Sequence, residues 1–178
     1  MANEIKTNGN TRKAGYFKAI DIAYMAIMVV LLEAGKRALD ALPNIEVVSF
    51  MIIIFTLFFE WKVIPVTLVF ATLECIYFGF GPWTVTYYYV WPILVVVVML
   101  TRKIGNRNVF FYSILSGLFG LFFGALCAIY TLFVGGLKVM ISWWIAGLMY
   151  DVVHCVGNFV ICLILFHPVN KVLSKLRL

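Results

Sequence analysis

The sequence predicts an all-α membrane protein of six transmembrane helices, with the N- and C-termini cytoplasmic. Three observations predict it. The chain is 64% hydrophobic and only 12% charged, more apolar than a water-soluble domain of 178 residues requires. Runs such as residues 85–100 and 109–134 carry no Asp, Glu, Lys or Arg. Those runs are continuous rather than alternating, which favours helices over a barrel. The third observation is the uneven placement of Lys and Arg, developed below.

The elements follow in order. Residues 1–15 are polar and basic. They read as a cytoplasmic tail, not a signal peptide, because no small-residue cleavage site follows closely on the first apolar run. The first span runs from about Tyr16 to Leu39. The second, about Glu46 to Phe59, is short against the roughly 20 apolar residues a crossing needs. It either tilts little or meets the interface early. The third runs from Lys62 to about Phe78, with Pro65 in its first turn, where a missing N–H does no harm. The fourth is about Trp83 to Thr101, and Pro92 predicts a kink that frees backbone groups at depth. The fifth is about Val109 to Val134. The sixth is about Lys138 to Phe166, stopped by Pro168. Residues 1–178 thus form one six-helix domain.

With the N-terminus inside, the inner segments hold Lys6, Arg12, Lys13, Lys18, Lys62, Arg102, Lys103, Arg107, Lys171, Lys175 and Arg177. The outer loops hold only Lys36, Arg37 and Lys138. Eleven of the fourteen basic residues therefore sit on one side, which sets both ends in the cytoplasm. The same asymmetry accounts for the formal charge of +6 without nucleic acid as a partner, since such charges face anionic lipid. The outer loops, "ALDALPNIE", "FGFGPWT" and "VGGLK", carry Gly, Pro and aromatics instead.

Several chemistries are not indicated. The four cysteines, Cys75, Cys127, Cys155 and Cys162, all lie in apolar runs without a CxxC pair. They suggest neither a disulfide framework nor a metal site and read as small buried side chains. There is no phosphate-binding GxxxxGK[ST] loop, no HExxH and no GxSxG. Asp151 and His154 form an acid–imidazole pair with no nucleophile beside them, so no catalytic residue is assigned and the chain is not expected to be an enzyme.

Three constellations are candidates for binding. Gly147, Asp151, His154 and Asn158 are spaced by four, three and four, and so share one helical face. A polar stripe on an apolar helix faces the bundle interior, another polar group or a water-filled cavity. It is either a substrate wall or an interhelical clamp. Second, "GPWTVTYYYVWP" packs Trp83, Tyr87, Tyr88, Tyr89 and Trp91 into nine positions, more than an interfacial belt explains. Trp143 and Trp144 sit at a comparable height. Flat rings around a planar or apolar ligand suit such a cluster. Third, Glu74 near the outer end of its span has Lys36 and Arg37 as outer partners, with Glu33 three and four residues before them. These residues either contact substrate or pair as ions. Gly120, Gly124 and Ala128 mark a close-packing face within the bundle. Ala19 and Ala23 mark a second one near the cytoplasmic end of the first span.

The early AxxxA-type motif "AIDIA", "LPNIEVVSF" after the first span, and "YDVVHCVGNFV" in the last carry a resemblance. Together with the topology they resemble the substrate-binding S components of energy-coupling factor (ECF) vitamin transporters. The last motif is similar to the D-x-x-H-x-x-x-N pattern of many such proteins, and the resemblance spans essentially the whole chain. It implies a vitamin held on the outer side by loops one, three and five and by helices four to six. Glu74, Trp83, Tyr87, Tyr88, Trp91, Trp144, Asp151, His154, Asn158, Lys36 and Arg37 are the candidate ligand residues. It implies a complex with a transmembrane coupling protein and two ATPases in a prokaryotic plasma membrane, with ATP bound only by those partners. The coupling protein would dock on Ala19 and Ala23, and the subunit would topple to carry its vitamin inward. Ile20 and Asp21 depart from the docking motif; an acid pointing into that interface would move docking to another face. Among S components the chain looks most like the cobalamin type, with pyridoxine, riboflavin or a queuosine-like precursor remaining open. No cofactor is expected to be bound covalently. An independent secondary transporter or channel is the alternative, although no clear internal repeat supports it.

Overall fold

The computed structural model of the chain describes residues 17–175. The expected cytoplasmic tail (1–15), Tyr16 and Arg177 lie outside the described residues. Within them the chain is helical, with α1 Ala19–Leu39, α2 Val48–Phe59, a single 3₁₀ turn Glu60–Lys62, α3 Val63–Phe78 and α4 Pro82–Gly105. The stretch Val109–Leu173 is broken at Gly136, where φ is +75° and ψ −178°. It is therefore two helices, α5 over residues 109–135 and α6 over 137–173. The stretches Val48–Phe78, Pro82–Gly105 and Val109–Leu173 are long and apolar enough to cross a membrane. The fold is that of a helical membrane protein.

Local chemistry explains the ends. Asp21 accepts the Lys18 N–H at 3.0 Å at the start of α1. This is the side-chain half of a capping box. At α2 the bond runs the other way along the chain: Glu46, just before the helix, accepts the first-turn Ser49 N–H at 2.9 Å. Pro82 opens α4 at a position where its absent N–H has no partner to lose. Asn108 caps α5 through the Phe111 N–H at 3.1 Å. The chain reverses at Glu60 (φ +55°) and at Asn106 and Arg107 (φ +39° and +56°). Gly136 has a backbone conformation essentially reserved for glycine.

Most helix ends lie within three residues of the sequence reading, and two run on further. α4 continues past Thr101 to Gly105, and α6 does not stop before Pro168 but runs through it to Leu173. The missing N–H at Pro168 costs one ladder bond. Leu165, Val169 and Leu173, however, pack against the core that includes α2. That packing outweighs the local cost, as tertiary context commonly does. Pro92 likewise lies inside an uninterrupted α4.

α2 is the centre of the bundle: Val48, Phe50, Ile52, Ile53, Ile54 and Phe55 are all buried. Nine of its twelve residues are buried. α5 and α6 fold back on each other along a glycine seam. A Cβ at Gly120 would stand 2.8 Å from the His154 carbonyl oxygen, and one at Gly117 3.2 Å from that of Cys155. Close backbone approach of this kind supplies van der Waals contact that lipid cannot. Gly120 and Gly124 of the expected packing face lie in this seam, and Ala128 is buried.

The two ends of the bundle differ in charge. At one, Asp21 pairs with Lys62 at 2.7 Å and Glu60 with Arg102 at 2.5 Å. At the other, Glu33, Lys36, Arg37, Asp40 and Glu74 gather around the end of α1.

Candidate functional site

A cavity of about 190 Å³ opens at this second end. Its walls are Lys36 and Leu39 of α1, Asp40 and Leu42–Glu46 of the following loop, and Val48 of α2. Tyr87 and Trp91 of α4, Phe123 of α5 and His154 of α6 complete it. Every helix but α3 therefore contributes, and α3 reaches it through Glu74.

The polar floor is Glu46 and His154. The Glu46 Oε1 lies 3.1 Å from the His154 Nε2. The other Glu46 oxygen is held by the Ser49 N–H, so the carboxylate is fixed at both ends. His154 is 4% exposed, and its Nδ1 has no protein partner. The Phe123 ring meets it edge-on, with centroids 4.8 Å apart.

The apolar wall is a run of touching rings. Phe78 meets Trp83 at 5.1 Å, Trp83 meets Tyr87 at 5.6 Å, and Tyr87 meets Trp91 at 5.2 Å. Trp91 in turn meets Phe123 at 5.4 Å. The edge-on and tilted geometries are those aromatic quadrupoles prefer. The wall thus runs unbroken from the rim at Phe78 to His154.

The rim is ionic. Glu74 is fully buried and bonds both the Lys36 ammonium and the Arg37 guanidinium. Arg37 also reaches Asp40 at 3.0 Å and Glu33 at 3.3 Å. Of the sequence alternatives for Glu74, the structure shows the ion pairing; Glu74 itself is outside the lining and adjoins the cavity through Lys36.

The residues anticipated from sequence divide into three sets. Lys36, Tyr87, Trp91 and His154 line the cavity. Glu74, Arg37 and Trp83 adjoin it through Lys36, Glu74 and Tyr87. Tyr88 turns away, its hydroxyl 3.0 Å from that of Thr72 on α3. Asp151 Oδ1 accepts the Gly124 N–H at 2.9 Å and so ties α6 to α5. Asn158 is buried one turn beyond His154 and outside the lining, and Trp144 is half-buried near the start of α6, also outside it. The polar stripe thus divides: His154 lines the cavity and Asp151 bonds the neighbouring helix.

Sequence reasoning did not single out Glu46, Asp40 or Phe123. One signal was present: Glu46 stands as a lone acid at the head of an uncharged, largely apolar run. Ala19 and Ala23 are exposed side by side on α1. Asp21 is turned away from them, about 200° further round the helix, and is engaged by Lys62. The acid therefore does not point from the alanine face.

Fold and site together define a helical protein with membrane-crossing segments and a charged, aromatic-walled cavity at one end. No protein-family model, curated protein or solved structure matches this chain.

Proposed function

We propose that the chain is the substrate-binding subunit of an ATP-driven vitamin importer of the energy-coupling factor type. On this reading it crosses the membrane six times with both ends in the cytoplasm. The cavity opens outward, and a transmembrane coupling protein with two ATPases docks on the Ala19–Ala23 face. The observation that carries it is the cavity between the loop after α1 and helices α4 to α6, lined by Glu46, His154, Tyr87 and Trp91. It is a ligand site without a motor, in a chain with no nucleotide-binding motif. The basic residues concentrated at the opposite end support the orientation.

The volume bears on which vitamin. A cavity of about 190 Å³ falls below the range of about 300–1,000 Å³ typical for drug-sized ligands. It favours a ligand of one or two rings. Cobalamin, the type the sequence most resembles, would need the loop 40–47 to swing open.

Purification under native conditions, followed by mass spectrometry, tests the proposal. A coupling protein, two ATPases and a small vitamin-like molecule are expected to co-purify. Uptake by the isolated chain in liposomes, driven by an ion gradient, would replace this reading with that of an independent transporter.

A further inference from the structure

The Lys36 ammonium does not merely pair with Glu74. It stands 4.8 Å from the Phe78 ring centroid, 5.1 Å from that of Trp83 and 5.6 Å from that of Tyr87. Three rings around a cation, closed by a fully buried carboxylate, are the chemistry by which proteins recognise organic ammonium ions. Here the occupant is a side chain of the same protein, on a flexible stem that also forms the cavity wall.

The charge around the cavity points the same way. The ionic groups that line it or join its rim are four carboxylates, Glu33, Asp40, Glu46 and Glu74, against Lys36 and Arg37. Such a site concentrates cations and repels anions. His154 also lines the cavity, beyond the cage.

We infer that the ligand of this cavity is an organic cation, an alkylammonium or a charged nitrogen heterocycle. Its positive nitrogen exchanges with the Lys36 ammonium in the cage over Glu74. Lys36 is the resident competitor: it keeps the buried carboxylate paired until the ligand arrives, and moves out as the ligand moves in. The inference rests on the cavity being the ligand site of the importer proposed above.

The test uses n-butylammonium chloride as the probe, with sodium chloride at equal ionic strength as the control. Purified protein in detergent is titrated, and tryptophan fluorescence reports on Trp83. Lys36→Ala is expected to bind the probe saturably, about tenfold more tightly than the unaltered protein. Adding Glu74→Gln is expected to abolish that binding. A folded Lys36→Ala protein that binds no better than the unaltered one overturns the inference. Should Lys36→Ala not fold, the unaltered protein decides. Reductive ¹³C-methylation keeps the lysine charge, and the Lys36 resonance is expected upfield under the rings. Butylammonium should move it toward the exposed-lysine position; a resonance that stays put overturns the inference. Cage binding in a chain that never co-purifies with ATPases would defeat the importer reading alone. Vitamin and ATPases co-purifying with a chain indifferent to ammonium would defeat this inference alone.

Discussion

Glu46 Oε1 and His154 Nε2 lie 3.1 Å apart although 108 positions separate them in the chain. The pair fastens the loop after α1 to the middle of α6, across the floor of the cavity. Because His154 is buried and Glu46 nearly so, removing either strands the other. His154→Ala and Glu46→Ala are each expected to cost about 1–3 kcal/mol. The double variant should cost less than the two combined, with a coupling of about 1 kcal/mol. Glu46→Gln keeps an acceptor for the Ser49 N–H and should lose less than Glu46→Ala. Thermal unfolding in one detergent measures all four; strict additivity would deny the pair any energy of its own.

Two glycines on the α5–α6 hairpin should respond oppositely to alanine. At Gly120 a Cβ meets the His154 backbone at 2.8 Å. Neither helix backbone yields easily, so Gly120→Ala is expected to destabilise by about 1–3 kcal/mol. At Gly147 a Cβ meets nothing within 4 Å, and the residue is helical. Gly147→Ala should stabilise by about 0.5–1 kcal/mol through helix propensity alone. Equal shifts in melting temperature would mean that the glycine seam does not hold the hairpin.

Two tryptophans eight residues apart on α4 should separate stability from binding. Trp91 is 2% exposed and touches four other rings. Trp91→Ala should cost about 3–5 kcal/mol and lower the melting temperature sharply. Trp83 is 41% exposed at the rim. Trp83→Ala should leave the melting temperature nearly unchanged while weakening capture of the butylammonium probe by Lys36→Ala, read by titration calorimetry because the reporting indole is gone. Loss of fold in Trp83→Ala would make the rim ring a packing residue.

Most helices were legible in the sequence as apolar runs bounded by Gly, Pro, Asn or charge, although α1 carries Asp21, Glu33, Lys36 and Arg37 within it. The run-on of α6 through Pro168 was not, since what holds it is the face it packs, and α2 and α6 are far apart in the chain. The same limit governs the site. His154 and Asp151 could be placed on one stripe by spacing, but spacing does not say which neighbour each meets. Asp151 meets the Gly124 N–H and His154 meets Glu46. The aromatic cluster was visible as a density of rings, yet only the fold distinguishes Tyr87, in the cavity wall, from Tyr88, bonded to Thr72. Glu46 was the hardest, because its partner is contributed by the last helix.

The alanine face of α1 gives the most direct test of the proposed complex. Ala19 and Ala23 are exposed, so a larger side chain there meets no wall among the described residues. Asp21 is held on the other side of the helix by Lys62 at 2.7 Å, which keeps the first turn in register whatever happens at Ala19. Ala19→Trp is therefore expected to leave the melting temperature and probe binding unchanged. If a coupling protein docks there through close helix approach, the indole should prevent contact. ATP-dependent uptake in cells carrying the whole complex would then fall to background, and the ATPases would no longer co-purify. Uptake at the normal rate would remove the Ala19–Ala23 face from the interface, even if the vitamin site stands.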